Sequence, residues 1–101
     1  MGPCMKGPEN KVKEQVKKIL KKYKVYWHMP VSNGMGAPSL DFVCCAGGAY
    51  LAIETKAPGK KPTPRQLLTI GLIESSHGKV LVIDGEKGLK LLEKWLCSKI
   101  L

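Results

Sequence analysis

Residues 38–66 read PSLDFVCCAGGAYLAIETKAPGKKPTPRQ. Two apolar runs, Leu40–Cys45 and Tyr50–Thr55, flank Ala46-Gly47-Gly48-Ala49. Gly-Gly between such runs predicts a hairpin, because a tight primed turn needs positive φ and glycine adopts it without a Cβ clash. A two-residue turn at Gly47-Gly48 sets Asp41 directly opposite Glu54. With strands about 4.8 Å apart, the two carboxylates become close neighbours on one face. Lys56, two residues beyond Glu54, shares that face. The opposite face collects Leu40, Phe42, Cys44, Leu51 and Ile53 and predicts a core.

Like charges directly opposite on a sheet are destabilising, and a cation between them reverses the sign. Two carboxylates with room for water suit Mg²⁺, a hard cation that keeps several waters and takes further ligands from substrate phosphates. Lys56 beside such a metal can orient or deprotonate an attacking water, or stabilise charge building on a phosphate. The plainer reading of the same residues is a surface salt bridge from Lys56 to Glu54 or Asp41. The hairpin register, the apolar reverse face and the basic composition favour the metal.

Asp41 followed by Glu54-Thr55-Lys56 after a hairpin resembles the PD-(D/E)xK nuclease signature. The continuation Ala57-Pro58-Gly59-Lys60-Lys61-Pro62-Thr63-Pro64-Arg65-Gln66 is similar to the VRR-NUC branch, specifically its small stand-alone, phage-type members. The resemblance extends over about Glu9–Ile83 and is strongest from Leu40 to Gln66. One position departs: Leu40 stands where the family usually has Pro before the metal-binding Asp.

The resemblance implies an α/β, restriction-endonuclease-like domain. It implies catalysis by Asp41, Glu54, Lys56, Gln66 and Glu9. Asp41, Glu54, the Thr55 backbone carbonyl and, as a further candidate, Glu9 would hold Mg²⁺ or Mn²⁺. Glu14 is the rival to Glu9. Structure-selective cutting of branched or junction DNA by a homodimer also follows from the resemblance alone.

The 101 residues predict one domain, with residues 1–8 as a loose tail and 9–101 as the nuclease-like unit. No apolar run approaches the roughly 18 residues of a membrane span, and no signal-peptide core is present. The expected location is therefore cytoplasmic, in a bacterial or phage-infected host cell. The four cysteines form no C-x-x-C pair, and neither His28 nor His77 sits at ligand spacing with them, which argues against zinc and against a disulfide framework. A formal charge of +9 points to a polyanion, with nucleic acid the leading partner.

Pro8-Glu9-Asn10 opens a predicted first helix with an apolar stripe of Val12, Val16, Ile19, Leu20 and Tyr23. Seven lysines from Lys11 to Lys24 surround the stripe against two glutamates. Lys13, Lys17 and Lys21, with Lys60, Lys61 and Arg65 of the following loop, are the candidate phosphate contacts. Glu9 in the first turn is also favoured by the helix dipole alone.

Val25–Met29 predicts a first strand, and Pro30–Ala37 a glycine-containing loop beside the site. Thr63, Pro64 and Gln66 satisfy N-cap, N1 and N3 of a second helix and complete a capping box. That local role competes for the Gln66 side chain with the pocket role the resemblance implies. The helix is expected to run to about Ser76, with Leu67, Leu68, Ile70, Gly71, Leu72 and Ile73 largely buried and a glycine cap at His77-Gly78. Val80–Ile83 predicts a central strand buried on both faces. Asp84 is expected to cap a last helix, Gly85–Ile100, whose Trp95, with Leu101, is a candidate dimer surface.

The element order is α-β-β-β-α-β-α. Two other readings compete with the nuclease: a non-catalytic basic nucleic-acid-binding module on the same fold, and a basic interaction protein within a larger phage or repair assembly.

Overall fold

The computed structural model describes residues 7–31 and 38–100. The expected tail up to residue 6, the loop glycines Gly34 and Gly36, Cys4 and Leu101 lie outside the described residues. The elements are α1 (Pro8–Lys22), β1 (Tyr26–His28), β2 (Phe42–Ala46), β3 (Ala49–Thr55), α2 (Pro64–Ser75), β4 (Lys79–Ile83) and α3 (Glu86–Ile100). The protein is an α/β fold with the α-β-β-β-α-β-α order, consistent with a restriction-endonuclease-like core. No described helix is long and apolar enough to cross a membrane.

The sheet runs β1-β2-β3-β4, antiparallel through β3 and parallel between β3 and β4. Gly47 (φ 58°) and Gly48 (φ 81°) are both left-handed, which is the primed turn that suits the strand twist. Ala46 pairs with Ala49 and Phe42 with Ile53, which brings Asp41, just before β2, to the end of β3, where its side chain bonds Thr55. Gly47 also lies under the end of α3: a Cβ there would run into the Lys99 carbonyl oxygen.

Two layers of side chains cover the sheet. On one face, Val12, Val16 and Leu20 of α1 and Leu89, Leu92 and Leu96 of α3 pack on Phe42, Cys44, Leu51, Ile53 and Ile83. On the other, Ile70 and Ile73 of α2 pack on Leu40, Ala52 and Val80. Leu40 therefore joins the face opposite the one expected. The chain bends at Asp41, before β2 begins, so strand alternation does not extend back to residue 40.

Further expectations are overturned. In α2, Leu67 (55% exposed), Leu68 (72%) and Leu72 (62%) face outward, and nothing lies within 4 Å of a Cβ placed on Gly71. The sheet surface beneath α2, with Leu40, Ala52 and Val80, receives only a narrow stripe, Thr69, Ile70 and Ile73. The all-apolar β4 is an edge strand, and Val82 is 40% exposed. The glycine cap after α2 is also different. His77, not Gly78, takes the left-handed conformation (φ 71°). Gly78 N–H donates to the Ile73 carbonyl (2.9 Å) and His77 N–H to that of Glu74 (3.0 Å), the two bonds of a Schellman motif. Gly78 is glycine for space, since a Cβ would lie 2.7 Å from Ile73 Cγ2. The same motif closes α1, with Lys24 left-handed (φ 56°) and Val25 N–H bonded to the Leu20 carbonyl at 3.0 Å.

Candidate active site

The site forms where the end of β3, the entry to β2, and the N-terminal parts of α1 and α2 meet. Glu54 is the next-to-last residue of β3 and is 3% exposed, on the sheet face that α2 covers. Burying a carboxylate is costly unless it is bonded. Two groups answer it: Gln66 donates Nε2–H to Glu54 Oε2 at 2.7 Å, and the Lys56 ammonium lies 3.7 Å from the same oxygen. Burial, then the negative field of Asp41, nevertheless push the Glu54 carboxyl up to about 7, with Lys56 pulling the other way.

Asp41 is fixed across the hairpin by Thr55. Asp41 Oδ2 accepts from the Thr55 backbone N–H at 3.0 Å and from the Thr55 hydroxyl at 2.6 Å. Thr55 is fully buried, so Asp41 is anchored to a residue of the interior.

Gln66 holds the capping box and the pocket together. Its Oε1 accepts from Thr63 N–H at 2.9 Å while Thr63 Oγ1 accepts from Gln66 N–H at 3.2 Å. The two roles expected to exclude each other are compatible, because a primary amide has an acceptor end and a donor end.

From α1, Glu9 pairs with Lys13 (3.1 Å), and Lys13 Nζ lies 4.0 Å from Asp41 Oδ2. Glu14 pairs with Lys17 (3.1 Å), so Glu9 is the α1 carboxylate linked to the site. Burial pulls the Lys13 ammonium down, but its bond to Glu9 and the fields of Asp41, Glu9 and Glu54 outweigh this and raise it above 10.5. Lys21, Lys60, Lys61 and Arg65 are exposed. Asp84, expected as a helix cap, instead accepts from Gly59 N–H at 3.2 Å and ties the basic loop to the end of β4.

Reading residues in sequence found the hairpin carboxylates, Lys56 and Gln66. Lys13, a candidate phosphate contact, pairs with Glu9 at the spacing of four that the sequence offers. Reading in sequence assigned Thr55 only a carbonyl, and it missed the loop tether of Asp84, which depends on the parallel β3–β4 pairing.

The donors fit a hard divalent cation. Among the described residues no three His, Cys, Asp or Glu side chains form a metal-holding cluster. The chain's own donors are the Asp41–Glu54 pair, an oxygen set whose mutual repulsion raises Glu54. Mg²⁺ is held by one or two carboxylates, with water and phosphate completing its shell. A groove of about 810 Å³ lies between α1 and α3, beside Lys18, Ile19 and Glu93. A hollow of about 380 Å³ lies by Tyr50, Leu72 and His77. Neither contains Asp41, Glu54 or Lys56.

Comparison with protein-family models gives no match, and comparison with curated proteins gives none at a significant level.

Proposed function

We propose that the protein is a divalent-metal-dependent endonuclease that hydrolyses phosphodiester bonds in DNA, of the VRR-NUC kind within the PD-(D/E)xK nucleases. The observation that carries this reading is Glu54, a buried carboxylate beside Asp41 with the Lys56 ammonium at 3.7 Å. Burial first, and then the neighbouring Asp41 carboxylate, push the Glu54 carboxyl up to about 7, an arrangement that a plain structural ion pair does not need.

Asp41 and Glu54 would hold Mg²⁺ or Mn²⁺, with the Thr55 carbonyl and Glu9 as further donors. When bound, the metal supplies positive charge against the scissile phosphate and makes a bound water more acidic. Lys56 orients the attacking water or meets charge developing on the phosphate. Gln66 keeps the Glu54 carboxylate turned toward the site by its 2.7 Å bond. Lys60, Lys61 and Arg65 are exposed around the entry to α2 and give a salt-sensitive grip on the backbone.

Branched or junction DNA is the preferred substrate on this reading, and a homodimer would present two sites to one junction. The exposed leucines of α2 suit a second copy better than α3 does, because Trp95 packs against the core. No charged residue interrupts α2 between Gln66 and Ile73, so two +9 chains meeting there set no lysine against lysine.

The test is cleavage of supercoiled plasmid and of a labelled four-way junction by wild type and Lys56→Ala, with Mg²⁺, Mn²⁺ or EDTA. Metal-dependent nicking lost in Lys56→Ala is expected. Equal DNA binding by both proteins, with no cutting under any metal, would leave a non-catalytic binding module.

A further inference from the structure

Lysine is seldom withdrawn from water unless something holds it. The Lys13 side chain is only 24% exposed. Its ammonium lies 3.1 Å from Glu9 Oε2 and 4.0 Å from Asp41 Oδ2. It therefore bridges α1 to the entry of β2. The Asp41 oxygen it approaches is the one already bonded by both donors of Thr55. Lys13 feels the fields of Asp41, Glu9 and Glu54, and Lys56 lies 3.7 Å from Glu54 Oε2.

We propose that Lys13 is a resident counter-ion of the carboxylate cluster, which a divalent cation must displace in order to bind. The inference rests on the metal-dependent reading above and deepens it. An ammonium beside Asp41 neutralises the negative charge that would attract the metal. A dication bound at Asp41 then repels that ammonium at short range through a partly buried medium, where Coulomb terms are strong. Lys13 sits on a flexible four-carbon stem and can swing outward. Its displacement leaves a free cation at the rim, where phosphate arrives. Metal loading and backbone contact are thereby linked through one side chain.

Two simpler roles give different results. If Lys13 only supports α1 through its pair with Glu9, its removal lowers stability slightly and leaves metal affinity alone. If it is only a phosphate contact, its removal weakens DNA binding and lowers the salt dependence, again without effect on the metal.

The experiment is a calorimetric titration of Mn²⁺ into the full chain without DNA, for wild type, Lys13→Met, Lys13→Arg and Asp41→Asn. Lys13→Met is expected to bind Mn²⁺ at least about fivefold more tightly than wild type, because a nearby like charge has been removed. Lys13→Arg, which keeps the charge, is expected to stay near wild type. Asp41→Asn is expected to lose binding. Thermal melts give a second readout: Mn²⁺ should raise the Tm of Lys13→Met more than that of wild type. Equal or weaker Mn²⁺ affinity in Lys13→Met, with binding still lost in Asp41→Asn, overturns the counter-ion role and leaves the nuclease reading standing. Absence of Mn²⁺ binding in every protein, or binding unchanged in Asp41→Asn, overturns both.

Discussion

The Gln66 side-chain amide donates to Glu54 Oε2 at 2.7 Å while its carbonyl caps the same helix that carries it. The start of α2 and the end of β3 are thus locked through one side chain. Gln66→Ala removes both bonds. It should cost about 1–2 kcal/mol, in the range of a lost helix cap, and leave Glu54 without its closest donor. Gln66→Glu keeps the capping acceptor but faces Glu54 with a second carboxylate. Urea unfolding should rank wild type above both variants. Nuclease activity should fall further in Gln66→Glu than in Gln66→Ala, a ranking that a purely local capping role would not produce.

Glu54 makes the stability of the metal-free protein depend on pH. Burial and the field of Asp41 raise its carboxyl from 4.5 to about 7 in the folded state. The folded chain then binds more protons than the unfolded chain between those values. Stability is greatest below about pH 4.5 as far as this group is concerned, and it declines as pH rises through about 7. The full contribution is at most about 3 kcal/mol. In EDTA, unfolding free energies measured from pH 4.5 to 8 should fall more steeply for wild type than for Glu54→Gln. Added Mg²⁺ should restore wild type at pH 8 and leave Glu54→Gln unchanged. Parallel pH curves for the two proteins would show that Glu54 titrates as an ordinary exposed carboxyl.

Two helix ends offer a stabilising change that leaves the site alone. Lys24 and His77 occupy the left-handed position of Schellman motifs at φ 56° and 71°. A side chain there costs roughly 1–2 kcal/mol relative to glycine, part of which glycine returns as unfolded-chain entropy. Lys24→Gly and His77→Gly should each stabilise by about 0.5–1 kcal/mol, and their effects should add because they close different helices. Gly78→Ala should destabilise despite lying one residue away, since its Cβ meets Ile73.

The hairpin was legible in the sequence because a Gly-Gly turn leaves few options. The turn fixes the register as far as Phe42–Ile53, and that register delivers Asp41 to the end of β3, where it acts on Glu54 and bonds Thr55. The Thr63–Gln66 capping box was legible for the same reason: it is a local pattern with a local cause. What was not legible depended on how elements pack. An apolar run such as Val80–Ile83 has the same composition at the edge of a sheet as at its centre. Leu67 and Leu68 look like core residues until the breadth of the surface under α2 is known. Apart from its spacing of four from Glu9, Lys13 carries no mark in the sequence that separates it from the lysines around it. Only the approach of α1 to Asp41 singles it out.

The leucine face of α2 gives the last prediction. Leu68, at 72% exposed, contributes little to the folded monomer, whereas Leu92 is fully buried. Leu68→Lys should change the unfolding free energy by no more than about 0.5 kcal/mol, while Leu92→Ala should cost about 2–5 kcal/mol. If a second copy covers α2, Leu68→Lys should shift the mass measured by light scattering from dimer to monomer at unchanged fold. Junction cutting should then suffer more than plasmid nicking, because coordinated incision needs two sites and a single nick needs one. A wild-type protein that is monomeric at concentrations where it cuts junctions would remove α2 as the dimer surface. An apolar strip so close to Gln66 and Arg65 would then lie where the DNA itself approaches.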